Sequence, residues 1–234
     1  MNSKTGCNRR GFLGSLAVIG STALVARLTP TALAAASQPE PEVSAVEDLM
    51  REHGALHRIL LIYEEAIRRI RAQVVIEPDL VKQAATLVRN FIESYHEKLE
   101  EEYVFPKLSQ AGKLTGTVAT LLAQHRAGRK LTAGIIARCS APHFHRPAEL
   151  RALATELSEF VTMYRPHAAR EDTVVFPEFK KVVPAKEYDR LGDRFEEREH
   201  AQLGDNGFEG VLTQIAGIET KLNIHDLARF TPKA

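Results

Sequence analysis

Two cysteines and almost no net charge set the first limits on this 234-residue chain. Cys7 lies near the N-terminus, and loss of that segment would leave Cys139 alone, so no internal disulfide is expected to stabilise the fold. The formal net charge is +1. Four of the 31 basic residues and no acidic residue fall within positions 1–36, so the rest of the chain holds 27 basic against 30 acidic residues. A mildly acidic body excludes a basic groove for phosphates, and we expect no nucleic-acid partner.

The chain also lacks a hydrophobic run that would make a convincing membrane span. A weakly apolar stretch begins at Leu13 and is broken at Arg27, which is too short to cross a bilayer. It follows Arg9-Arg10-Gly11-Phe12-Leu13, which is similar to a twin-arginine export signal; an ordinary secretory signal is the alternative. We therefore expect export, with a periplasmic location and no transmembrane span in the mature chain. The predicted boundaries are 1–36 for the signal peptide and 37–42 for a linker.

No segment alternates with the two-residue period of a β-strand. Apolar residues instead recur at steps of three and four, which is typical of amphipathic helices. The first such stripe runs through Val46, Leu49, Met50, Leu56, Leu60, Ile67 and Ile70. The pattern predicts an all-α protein. We expect its first helix along this stripe and further helices over about 78–109, 117–138, 147–182, 184–203 and 208–222.

One motif occurs twice, 71 residues apart. The segments beginning at His96 and at His167 both fit His-x-x-x-Glu-acid-x-x-Val-Phe-Pro. The helices that precede them also repeat, with a period of 72. Val46, Leu49, Met50, His53 and Ala55 correspond to Val118, Leu121, Leu122, His125 and Ala127. The chain is therefore predicted to contain two helical hairpins of one pattern.

The spacing of the polar residues indicates a metal site. Residues four apart share one face of a helix, so His96 can act with Glu100, and His167 with Glu171. Polar groups on apolar stripes are costly to bury unless each finds a partner. Three more histidines continue the apolar stripes of the first and third helices, namely His53, His57 and His125. Five imidazoles and two carboxylates suit two cations, and a mixed nitrogen and oxygen donor set favours iron, manganese or zinc.

These matched copies resemble the hemerythrin-like, or HHE cation-binding, family over roughly residues 43–182. The resemblance implies an up-down-up-down four-helix bundle with a carboxylate-bridged, non-haem centre of two iron ions. The positions that match the ligand motif are His53, His96, Glu100, His125, His167 and Glu171.

This sequence departs from the family pattern at two places. Members that bind oxygen reversibly often carry a second histidine four residues along the third helix, where this chain has Arg129. The internal repeat maps that position onto His57, so we expect His57 as a seventh ligand and a three-histidine iron in the first hairpin. Some members use the acid five residues after the fourth-helix histidine, which is Asp172. The internal repeat favours Glu171, and the neighbours Glu101 and Glu102 of the first copy are interpreted as solvated.

A ferritin-like site is the main alternative set of metal ligands, because Glu93-x-x-His96 and Glu197-x-x-His200 have the spacing that such sites require. It would leave three of the inward histidines without a role. Residues 183–234 are expected to form a C-terminal helical extension with two helices packed on the bundle. We expect His200 to lie at most beside the ligands.

The favoured function is binding or sensing of dioxygen or a related small oxidant. The alternatives are an enzyme that consumes peroxide, oxygen or nitric oxide at the same centre, and iron storage or delivery. The sequence offers no separate nucleophile constellation, so binding is the leading interpretation.

Overall fold

The computed structural model describes residues 43–232, and this part of the chain consists of helices and connecting loops without a β-strand. The all-α prediction is confirmed. The predicted signal peptide and linker lie outside the described residues. The helices are α1 (Ala45–Arg71), α2 (78–110), α3 (Thr115–Cys139), α4 (147–182), α5 (Ala185–Leu203) and α6 (Gly207–Leu222), followed by a short 3₁₀ helix (Leu227–Phe230).

The helix ends follow from local chemistry. The Ser44 hydroxyl accepts a hydrogen bond from the Glu47 amide at 3.3 Å and caps the start of α1. α2 and α4 begin with Pro78 and Pro147, whose fixed φ suits a first helical turn. α5 stops at Gly204, where φ is +75°, a conformation that glycine adopts without steric cost. Backbone signals in the sequence therefore account for these boundaries.

α2 and α4 each contain π-helical turns beside the repeated motif. In α2 the segments are Pro78–Leu87 (α), Val88–His96 (π), Glu97–Leu99 (α), Glu100–Val104 (π) and Phe105–Gln110 (α). In α4 they are Pro147–Arg170 (α), Glu171–Val175 (π) and Phe176–Val182 (α). The second residue after the Glu100 and Glu171 π segments is a proline, which has no N–H for the carbonyl four residues back. The wider turn places Glu100 and Glu171 at equivalent positions, and such turns are frequent at functional sites.

The apolar core is continuous across the six helices. α1 packs against α2 and α4, and α3 packs against α2 and α4. α5 and α6 lie against α1 and α2, as the sequence predicts. Arg58 of α1 holds Glu219 of α6 through two hydrogen bonds, of 2.9 and 2.5 Å. The Phe91 and Phe208 rings are 5.8 Å apart across the α2–α6 contact. Within the described residues, no helix is long and apolar enough to cross a membrane.

Candidate metal centre

Two histidine pairs meet in the interior. His53 of α1 faces His96 of α2, with their Nε2 atoms 3.0 Å apart. His125 of α3 faces His167 of α4, with their Nε2 atoms 3.2 Å apart. All four side chains are buried. The structure thus pairs the histidines within each hairpin, as the sequence repeat predicts.

Two buried carboxylates lie between the pairs. Glu171 Oε2 is 3.4 Å from His53 Nε2 and 3.1 Å from His167 Nε2. Glu100 places Oε1 3.7 Å from His96 Nε2 and Oε2 3.5 Å from His125 Nε2. Each carboxylate therefore lies near one histidine of each pair, which is the arrangement that a group shared by two cations requires.

A hydrogen bond holds each of the four imidazoles at its other ring nitrogen. His53 Nδ1 bonds to Asp172 at 2.7 Å, and His125 Nδ1 bonds to Glu101 at 3.1 Å. The corresponding partners of His96 and His167 are Glu52 at 2.8 Å and Gln124 at 2.9 Å. These partners accept a hydrogen bond from Nδ1–H, which directs the Nε2 lone pair of each neutral ring into the cluster.

The phenylalanines of the two Phe-Pro pairs cover the cluster. The ring of Phe176 stacks on His53 at a centroid distance of 5.6 Å, and the ring of Phe105 lies 5.6 Å from that of His125. Both phenylalanines are buried. Each hairpin therefore places its aromatic ring on the first-helix histidine of the other hairpin, and the rings shield the polar cluster from water.

The protonation of the cluster depends on the balance between burial and the neighbouring acids. Burial lowers the pKa of His53, but the hydrogen bond to Asp172 and the adjacent Glu171 raise it to about 10. His125 is also buried, and its acidic neighbours Glu100 and Glu101 raise its pKa to about 10. Burial lowers the pKa of His96 to about 4. Without a metal, His53 and His125 therefore each carry a second proton, and a positive charge, at neutral pH. A bound cation would displace these protons.

The donor set fits a pair of metal ions. All four oxygens of Glu100 and Glu171 are buried, and none of them has a hydrogen bond of good geometry, although imidazole Nε2 atoms lie 3.1–3.7 Å away. Burying carboxylates in this way is costly without a compensating cation. Glu100, His125, His167 and Glu171 form one candidate cation site, and His53, His96 and Glu100 form another. A mixed set of imidazole and carboxylate donors suits iron, manganese or zinc.

His57, predicted as a third histidine on the first site, lies outside these groups. Its side chain is exposed. The buried stripe of α1 alternates steps of four and three residues, because a helix has 3.6 residues per turn. The stripe passes from His53 to Leu56, three residues on, so His57 falls on the outer edge.

Arg129, the repeat counterpart of His57, lies beside the histidine pair of α3 and α4. Its guanidinium has no free lone pair and cannot bind a metal. Its guanidinium donates to Glu97 at 2.6 Å and to Glu101 at 2.7 Å. Glu97, Glu101 and His125 are close enough to suggest another cation site. The Arg129 cation already occupies the space between these two acids, so the group acts as an ion-pair network around His125.

Sequence reasoning missed the residues that hold the imidazoles. Glu101 was expected to be solvated, but only 17% of its side chain is exposed, and it bonds to His125. Asp172 lies on His53 Nδ1, whereas Glu171 lies inside the cluster. The signal was present in the repeat, since an acid follows each glutamate of the motif. Glu52 and Gln124 directly precede the first-helix histidines in both copies.

The ferritin-like alternative does not agree with the geometry. Glu197 and His200 are exposed on α5. His200 lies 3.7 Å from Asp205, with 62% of its side chain exposed, so it is a surface residue outside the cluster.

A groove of about 1200 Å³ lies outside the buried cluster. Its walls come from the end of α1, the loop 73–76 and α4, and they include the apolar side chains of Val74, Ile76 and Leu150. Gln124 also lines it. Gln124 therefore contacts both this groove and His167 of the second histidine pair.

Comparison with known proteins identifies the family. Residues 44–179 match the model of the hemerythrin HHE cation-binding domain. Uncharacterized proteins of Mycobacterium bovis and of Mycobacterium tuberculosis strains CDC 1551 and H37Rv are each 48% identical over 197 residues, which is 83% of this chain and 77% of theirs. No solved structure matches the chain. With its buried histidine and glutamate cluster, the chain belongs to the hemerythrin HHE cation-binding domain family and is a helical, cation-binding protein.

Proposed function

We propose that the chain is an exported protein with a non-haem centre of two iron ions that binds or senses dioxygen or a related small oxidant. The convergence of four imidazole Nε2 atoms on two buried carboxylates that lack well-formed hydrogen bonds carries the proposal. In this proposal residues 43–182 form an up-down-up-down four-helix bundle, and residues 183–234 extend it. The proposed ligands are His53, His96, Glu100, His125, His167 and Glu171.

The side chains around the centre have separate tasks. A pair of iron ions supplies the reversible redox chemistry that dioxygen binding requires. One ion would lie with His53 and His96, and the other with His125 and His167. Glu100 and Glu171 lie near histidines of both pairs and would help to hold both ions.

The protein around the ligands fixes their geometry and limits the access of water. The Nδ1 hydrogen bonds hold each imidazole in one tautomer and one orientation. The rings of Phe105 and Phe176 keep water from two of the histidines. A dry, apolar surrounding favours retention of a bound oxidant because it slows the escape of charged reduction products.

One observation favours the enzymatic alternative, in which peroxide, oxygen or nitric oxide is consumed. Glu97 is buried next to His96, and burial raises the pKa of its carboxyl to about 7. The Tyr164 hydroxyl donates to it at 2.7 Å, and Arg129 donates at 2.6 Å. A carboxyl that gains and loses a proton near neutral pH suits reductions that consume protons.

The purified protein is expected to contain about two irons per chain, because the two histidine pairs provide two donor sets. Metal analysis and the optical spectrum of the oxidised protein measure this. Exposure of the reduced protein to oxygen and to peroxide then separates the functions. A long-lived oxygenated spectrum supports binding, whereas rapid turnover of peroxide supports the enzyme. One zinc per chain, or no metal after anaerobic iron loading, would contradict the iron proposal.

Export is proposed to use the twin-arginine route, which carries folded proteins and so permits metal loading before translocation. Replacement of Arg9 and Arg10 together by lysine should leave the precursor in the cytoplasm, folded and loaded with metal. Cell fractionation followed by immunoblotting measures the distribution. Normal export of the double variant would indicate the ordinary secretory route instead.

A further inference from the structure

The internal repeat is broken at one of the four residues that hold the imidazoles. Glu101 and Asp172 are equivalent positions, and both are acids on Nδ1 of a first-helix histidine. Glu52 and Gln124 are also equivalent, 72 residues apart, but the first is an acid and the second a neutral amide. His167 is therefore the one proposed histidine ligand whose Nδ1 partner carries no ionisable group.

The charges around the other two partners add to this difference. Glu101 on His125 is bound by Arg129 at 2.7 Å and by Lys98 at 2.5 Å, so its negative charge is shared with two cations. Among the residues that the structure describes, Asp172 forms an ion pair with His53 and with no lysine or arginine. The outer partners of the α1–α2 pair are thus two acids, while those of the α3–α4 pair are an amide and a charge-compensated acid.

An acid on Nδ1 makes an imidazole a stronger donor at Nε2, because the anion stabilises the positive charge that the ring acquires when it binds a metal. We infer that the two cation sites are unequal: the His53–His96 site binds the first cation more tightly, and Gln124 weakens the His125–His167 site. This inference rests on the proposed binding of two cations. Gln124 acts as a positioning residue that sets the affinity of the second site through His167.

The test is a stepwise titration of the full-length, metal-free protein with Co²⁺, followed by calorimetry and by the visible absorption of the bound ion. Two dissociation constants are expected for the unaltered protein. Gln124→Glu should tighten the weaker constant about tenfold, and Glu52→Gln should weaken the tighter one by about 10–100-fold, the usual range for such partners. A merely structural role for Gln124 would not give a gain in affinity.

Crystals grown with one equivalent of Co²⁺ locate the first ion by anomalous scattering, and this measurement does not depend on the folding of any variant. The ion is expected between His53 and His96. An ion between His125 and His167, or equal occupancy of both pairs, would overturn the inference, as would an unchanged weaker constant in Gln124→Glu. If the unaltered protein bound no more than one Co²⁺ ion, the proposed two-cation centre itself would fail.

Discussion

Glu171→Gln should remove most of the iron-binding capacity of the protein, whereas Asp172→Asn should keep two irons at reduced affinity. Glu171 is fully buried, and Oε2 lies 3.4 and 3.1 Å from histidines of the two different pairs. An amide of the same shape removes the negative charge that both cations would share. We expect a loss of more than about 100-fold in affinity, beyond the range of about 10–100-fold for residues that only hold a ligand. The measurement is iron per chain after equilibration with a competing chelator.

Asp172 should behave differently because it reaches His53 at Nδ1, away from the shared carboxylates. An asparagine can still accept the hydrogen bond, so the ring keeps its orientation and loses only part of its donor strength. His57→Ala is the matched control from α1, four residues from His53, and it should retain both irons. If Asp172→Asn lost iron as completely as Glu171→Gln, the fifth residue after His167 would be the ligand, and the cluster would be assigned incorrectly. Loss of one iron in His57→Ala would restore the three-histidine site.

The repeated motif made it predictable that six of the seven expected residues meet in one buried cluster, because two copies in the same order identify which polar residues share an inward face. Helical periodicity alone could not assign His57. Residues four apart lie about 40° apart around a helix, and this offset is enough to move a side chain from the core to its edge. The starts of α2 and α4 were predictable from Pro78 and Pro147. The π-helical turns at Glu100 and Glu171 were not, because they depend on how each proline is accommodated within a packed helix.

The partners of the imidazoles illustrate a second limit. Each Nδ1 hydrogen bond joins two different helices, and a single sequence does not specify the side-chain angles that bring them together. The sequence predicts that Glu101 is solvated, because it lies in a run of acidic residues and such runs usually lie on exposed faces. Its contacts with His125 and Arg129 appear only once α2 and α3 are packed. The difference between the acid Glu52 and the amide Gln124 likewise becomes informative only in the folded structure, where they bind Nδ1 of the equivalent histidines His96 and His167.

Removal of the metal should lower the unfolding temperature strongly, and the difference should grow as the pH rises from 7 to 9. A ligand present at 100 times its dissociation constant stabilises the fold by about 2.7 kcal/mol, so two cations contribute about 5 kcal/mol. In a domain of this size each kcal/mol corresponds to roughly 2–4 °C, which gives a shift of roughly 10–20 °C. Calorimetric unfolding of iron-loaded and chelator-treated protein measures it.

The pH dependence follows from His53 and His125, whose pKa values are raised from 6.5 to about 10 in the metal-free fold. A raised pKa contributes stability that is fully present below pH 6.5 and is lost as the pH rises through 10. The metal-free protein should therefore lose stability between pH 7 and 9, by at most about 1.4 kcal/mol per pH unit for each ring. Bound cations displace both protons, so metal affinity rises over the same range.

Metal binding at pH 7–8 should accordingly release about two protons per chain, one from each of these rings. Calorimetry in buffers of different ionisation enthalpy counts them. His125→Gln is the matched variant: it removes one of the two titrating rings, and its metal-free form should lose stability about half as steeply with pH. Equal pH slopes for the loaded and metal-free proteins, or no proton release, would show that the rings are already neutral before metal arrives. In that case the acids on Nδ1 would serve to orient the imidazoles without holding protons on them.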